Sequence, residues 1–138
     1  MHRLTWMSLL FLPIALVTAC SGSDYKALLK DIDTYHRDLV FERYEIAAKN
    51  IAPNARAAWL ESLQEQHLRF AEIEVSSYAP CESDEISKDE NYDPEQCAVI
   101  FSQMQWYVNG SPTVQTRRVR SVWQYNLTDS SWYIIEQN

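Results

Sequence analysis

Ala98-Val99-Ile100-Phe101-Ser102-Gln103-Met104-Gln105-Trp106-Tyr107-Val108, followed at once by Asn109-Gly110-Ser111-Pro112, decides the fold of this 138-residue chain. Ile100, Met104, Trp106 and Val108 fall on one side of a two-residue period, the signature of a strand with one buried face. Asn-Gly next to Ser-Pro is a turn signal, so the chain must double back. Val114 to Leu127 then reads as a second long strand, with Val119, Trp123 and Tyr125 sharing a face. Thr128-Asp129-Ser130-Ser131 is another turn, and Trp132 to Glu136 is a closing strand. Short connections between long strands predict an antiparallel meander.

Upstream of this block the period changes. Phe70 to Tyr78 alternates, placing Ala71, Ile73 and Val75 on one face and Glu72, Glu74 and Ser76 on the other. Before that the spacing is helical. Tyr25, Leu28, Leu29, Ile32, Tyr35 and Leu39 form one stripe, and a break is expected near Asp38–Glu42. Pro53 ends the first helical stretch, Asn54 is positioned to cap the next, and Ala58, Trp59, Leu60 and Leu63 mark its buried side. Helices followed by a run of strands are an α+β plan, in which N-terminal helices pack on a curved antiparallel β-meander. Neither layer buries its apolar face alone.

At the N-terminus, His2 and Arg3 precede an apolar run from Met7 to Val17. That run is too short to span a bilayer, which takes about 20 residues, and it matches the apolar region of an export signal. Leu16-Val17-Thr18-Ala19-Cys20 resembles a bacterial lipobox, with Cys20 as the lipidated residue. The resemblance implies that residues 1–19 are a removed signal peptide and that residues 20–24 are a lipidated (palmitate-type) cysteine and short tether. Residues 25–138 are then one domain. Ser21 after the lipidated cysteine implies sorting to the outer membrane, facing the periplasm. Several acyl chains, at about 0.8 kcal/mol per buried methylene, give stable anchoring where one does not.

Of three cysteines, lipidation uses Cys20 and leaves Cys81 and Cys97 as an even pair. An oxidising compartment favours their bonding. The net charge is −7, which argues against nucleic-acid binding, since that requires lysine and arginine to neutralise phosphates.

Leu39-Val40-Phe41-Glu42-Arg43-Tyr44-Glu45-Ile46-Ala47-Ala48, Ile51-Ala52-Pro53-Asn54-Ala55-Arg56, and Val122-Trp123-Gln124-Tyr125-Asn126-Leu127 with Trp132-Tyr133-Ile134 resemble stretches of the nuclear transport factor 2-like superfamily. More narrowly, they resemble small bacterial lipoproteins within that fold. The chain differs in having Asp129-Ser130-Ser131 where those proteins often place a glycine. The resemblance implies a cystatin-like cone of helices over a bent sheet. It supplies no catalytic residues to carry over.

Candidate chemistry is sparse. The excursion between Cys81 and Cys97 is acidic, and Asp89, Asn91, Asp93 and Glu95 alternate in the manner of a Ca²⁺ loop. Pro94 stands where such a loop needs glycine and Ile100 where it needs its closing glutamate, so a solvated excursion pinned by a disulfide is the expectation. An acidic contact surface for a basic partner is a second reading. Arg117, Arg118 and Arg120 are expected to pair across strands with Glu72 and Glu74. His36 and His67 each lie on a helix, and a surface or capping role is expected for both.

Trp106, Trp123 and Tyr125 are the candidate lining of an apolar pocket, if they do not simply fill the core. No metal or cofactor set emerges. The expected function is a lipid-anchored envelope module that binds a protein partner or an apolar small ligand without catalysis. The alternative is a small isomerase, dehydratase or hydrolase using the cone cavity, with His36 beside Tyr35 or Tyr44. An absence of Asp from the apolar strand faces weighs against it.

Overall fold

The computed structural model describes residues 22–138. Residues 1–19, expected as a signal peptide, and Cys20 lie outside the described residues. Three helices come first: α1 (Gly22–Val40), the short α2 (Tyr44–Ala47) running into a 3₁₀ turn at Ala48–Asn50, and α3 (Arg56–Gln66). Four strands follow, β1 (Leu68–Pro80), β2 (Tyr92–Val108), β3 (Gln115–Asn126) and β4 (Ser131–Gln137). They form one antiparallel sheet in the order β1-β2-β3-β4, an open meander. The α+β plan of helices followed by an antiparallel meander is therefore observed.

Leu28, Ile32, Tyr35 and Leu39 recur at helical spacing on α1 and are buried against the front face of the sheet. They meet Ala98, Ile100 and Met104 of β2, Trp123 of β3, and Trp132 and Ile134 of β4 in one core. α1 is already helical at Gly22, the first described residue, inside the stretch expected as tether. It stops where expected, because Glu42 takes a left-handed φ of 60° and the Arg43 N–H turns back to the Asp38 carbonyl at 2.8 Å. Arg43 also pairs with Asp38 at 2.7 Å. Asn54 does not cap α3; Ala55 holds that position, without a side-chain cap bond.

The face assignment of β1 needs correction. Register shifts fall between Phe70 and Glu72 and between Val75 and Ser77. Each extra residue reverses the alternation. Phe70 and Ile73, three apart, therefore both pack on the core, while Ala71 is exposed.

The excursion is shorter than the sequence suggests, since β2 already begins at Tyr92 and pairs there with Asn126. Residues 81–91 fold over the back of the sheet. The Ser87 N–H donates to Gln124 Oε1 at 2.9 Å, and Gln124 Nε2 donates to the Asp93 carbonyl at 3.0 Å. Val99 and Val122, a cross-strand pair on that back face, are buried. Cys81 and Cys97 stand at disulfide distance, with their Cα atoms 5.5 Å apart.

In the last turn Ser130 adopts the left-handed φ of 51° that a glycine takes more easily. Asn126 Oδ1 accepts the Thr128 and Asp129 N–H groups at 2.9 Å and holds that turn. The outer edge of β4 is covered, because Ile51 bridges Ile134 and the Ala52 N–H donates to the Ile134 carbonyl at 2.9 Å.

Candidate functional site

A pocket of about 240 Å³ opens where α1 and α3 diverge over the front face. Helical spacing puts Tyr35 and Leu39 of α1 on its wall, and Trp59 and Leu63 of α3 opposite them. Phe70, Met104, Trp106 and Val119 form the sheet side, with Arg117 exposed at the rim. Its polar anchor is Gln137. Tyr35 Oη and Trp59 Nε1 both donate to Gln137 Oε1, each at 3.4 Å. A register shift between Val122 and Trp123 sets this up, pairing Ser121 with Gln137 so that the amide joins the front face. Complete burial pushes the Tyr35 phenol up from its ordinary value, against a smaller opposing effect of the Gln137 bond. It stays a neutral donor.

The three expected lining residues part company. Trp106 lines the pocket. Trp123 is fully buried, its ring edge against Tyr35 at 5.7 Å and its Nε1 donating to Ser121 Oγ at 3.0 Å. It fills the core because β3 is a central strand lying under α1. Tyr125 packs beyond it, edge-on to Trp132 at 5.6 Å. Gln137 and Trp59 complete the site and were not singled out from the sequence. An amide at the end of an apolar closing strand is the signal that would have pointed to the first.

His36 is buried on α1, and its Nε2 lies 3.4 Å from Ser102 Oγ. Burial pushes its pKa down to about 4, with Asp33 acting weakly in the other direction, so the ring is neutral at pH 7. The surface role expected of His36 is thus corrected. Ser102 interrupts the apolar series Ile100, Met104 on β2, which was the available clue. His36 opens on a different depression from the Trp106 pocket, a groove between α1 and β1. His67 closes α3 with a left-handed φ of 50°, and its carbonyl accepts the Asn109 N–H at 3.1 Å.

The arginines do not pair with Glu72 and Glu74. β2 separates β3 from β1, with Gln103 in register between Glu74 and Arg118, and the arginine that spans it meets a serine instead of a glutamate. Arg118 stacks over the Phe101 ring at 4.2 Å and reaches Ser77 Oγ at 3.2 Å. Arg120 pairs with Glu136 at 2.9 Å and with Glu85 of the excursion. Glu85 is held below the usual carboxylate range by the Glu82 N–H and then by Arg120. The alternating acidic series is turned on its own backbone. Asp89 Oδ1 accepts the Asn91 N–H, and Asp93 Oδ1 accepts the Glu95 N–H, each at 2.9 Å.

No family model matches the chain, and no curated protein matches it. Solved structures with a similar fold do exist. The solution structure of a SEC-C motif containing protein from Rhodopseudomonas palustris superposes with a TM-score of 0.54 at 12% identity, covering 78% of this chain and 74% of that one. The crystal structure of a SEC-C motif containing protein from Psychrobacter arcticus gives 0.51 at 18% identity, covering 80% of this chain and 59% of that one. A structure from Catenulispora acidiphila gives 0.52 at 12% identity, covering 83% and 88%. These likenesses are of fold alone.

They overturn the resemblance to nuclear transport factor 2-like lipoproteins, because two of these three neighbours are SEC-C motif containing proteins and none of the three points to that superfamily. The buried residues of the misleading stretches, among them Leu39, Ala47, Ala48 and Ile51, then Val122, Trp123, Trp132 and Ile134, pack helices and a closing hairpin. Any helix-then-meander domain calls for such residues there.

Proposed function

We propose that this chain is a lipid-anchored cell-envelope protein, held by Cys20 at the periplasmic side of the outer membrane. Its front-face pocket binds an apolar small ligand or an apolar side chain of an envelope protein, without catalysis. The observation that carries the binding reading is the composition of the pocket. Its walls are mostly aromatic and aliphatic, with Gln66, Arg117, Gln137 and Asn138 as the polar members, and neither aspartate, glutamate nor histidine is among the described residues that line it. Tyr35 and Trp59 spend their donors on Gln137, so the wall offers orientation and not proton transfer. The volume suits a small ligand or one aromatic side chain. His36 beside Ser102 is the feature that an isomerase or hydrolase would use, but it faces the other groove.

The anchor reading rests on the lipobox-like sequence. Among the described residues no helix is long and apolar enough to cross a membrane. Globomycin is expected to leave an unprocessed precursor, and Cys20→Ala to release the protein from the membrane fraction. Normal processing of the treated chain, or membrane retention of the variant, would sink the anchor. For the pocket, N-phenyl-1-naphthylamine should gain fluorescence on titration with the protein. Trp106→Ala is expected to weaken that binding about tenfold, the effect of losing roughly 1.4 kcal/mol of contact. Equal binding by wild type and variant would place the ligand elsewhere.

A further inference from the structure

The described part of the chain leaves one apolar patch close to the expected anchor. Tyr25 on the first turns of α1 meets Tyr78 near the end of β1, ring edge to ring face at 5.6 Å. Leu29 lies one helical turn further on and Val75 beside Tyr78, both lining the α1–β1 groove. Tyr78 is 60% exposed, Leu29 45% and Val75 43%. Lys26 and Lys30, both exposed, follow one position round the helix from Tyr25 and Leu29.

We infer that this patch rests on the lipid surface to which the chain is anchored, seating the domain in one orientation. The inference relies on the anchor at Cys20 proposed above. Only Ser21 separates Cys20 from Gly22, where α1 begins. Two extended steps of about 3.4 Å and three helical steps of about 1.5 Å put Tyr25 within roughly 12 Å of the anchored cysteine. An acyl chain fixed that close holds the patch at headgroup depth whether or not the patch adds affinity. Tyrosine suits that zone, since its ring is apolar and its hydroxyl stays wet. The lysines face lipid phosphates, and the acidic excursion lies on the back of the sheet, through Ser87–Gln124 and Glu85–Arg120. A second copy is a poorer occupant, because four side chains fall far short of the about 20–30 residues a side that a stable interface uses.

The test uses the full chain extracted with its anchor and reconstituted in phosphatidylcholine vesicles, plain or brominated on the acyl chains. Tyr78→Trp places a reporter in the patch and keeps an aromatic ring against Tyr25. Val114→Trp places one on the exposed turn between β2 and β3, at the opposite end of the sheet. After subtraction of the wild-type emission, which comes from Trp59, Trp106, Trp123 and Trp132, the signal added by Tyr78→Trp is expected to fall roughly two-fold in brominated vesicles, as for side chains inserted at the headgroup boundary, while the signal added by Val114→Trp is unchanged. Vesicle flotation and the mass of the Cys20 peptide report the anchor separately. Protein that neither floats nor carries lipid overturns the anchor reading and this inference with it. Protein that floats with Tyr78→Trp unquenched overturns the docking alone; crosslinked dimers in that sample would assign the patch to a second copy. Equal quenching of both reporters also overturns it, since no face is then selected.

Discussion

Trp123→Ala lowers the free energy of unfolding by about 3–5 kcal/mol, the range for emptying a fully buried tryptophan site. The indole is fully buried and sits on β3 where β2, β4 and α1 meet it. It pairs with Ala98 of β2 on one side and Ile134 of β4 on the other, and Tyr35 of α1 covers it. The alanine leaves a void that helix and sheet cannot both collapse into, and Ser121 Oγ loses the indole N–H it accepts, keeping only its own bond to the Ile100 carbonyl. A domain of this size has about 5–15 kcal/mol in hand, so the variant folds marginally or not at all. Urea denaturation followed by circular dichroism checks this. Val114→Ala, on the exposed turn, is the control and stays within about 0.5 kcal/mol of wild type. A loss below about 1 kcal/mol for Trp123→Ala would mean that the front face repacks freely.

Opening the Cys81–Cys97 bridge is the second large effect. The two residues are 16 apart in sequence, and closing a loop of about 15 residues is worth about 3 kcal/mol in the chain-entropy model. A melting temperature roughly 10 °C lower under reductant, or in the double Cys→Ser variant, follows from that figure. The bridge also holds the excursion over the sheet's back, where Val122 is fully buried. Amide exchange is therefore expected to quicken first at Ser87 and Val122, before the front core opens. Coincident melts of oxidised and reduced protein would show that Glu85–Arg120 and Ser87–Gln124 hold the excursion unaided.

The site was legible only in part. Trp106 was found from alternation on β2 because that strand runs without a register shift from Cys97 to Trp106. Trp123 lies on the same front face, but whether it lines a pocket or fills a core depends on what stands above it. α1 stands over Trp123, while the gap between α1 and α3 opens over Trp106. Gln137 escaped notice because one extra residue in β4 brings it to the front. The arginine pairings failed for a related reason. Arg118 does reach across β2 to β1, but it meets Ser77 there and not a glutamate, and the acids that meet Arg120 come from the excursion and from β4.

Sequence alone determined the order and type of the elements, since helical and two-residue periods, Pro53 and Asn109-Gly110 act over a few neighbouring residues. With Cys20 set aside by the lipobox resemblance, counting also left Cys81 and Cys97 as a pair. Family membership was beyond its reach, because the stretches that suggested one answer to the packing needs of any helix-covered meander. Only the tertiary structure decided which residues line the pocket and which charges meet. Those depend on register, and a one-residue bulge turns a side chain to the other face while leaving the sequence pattern almost unchanged.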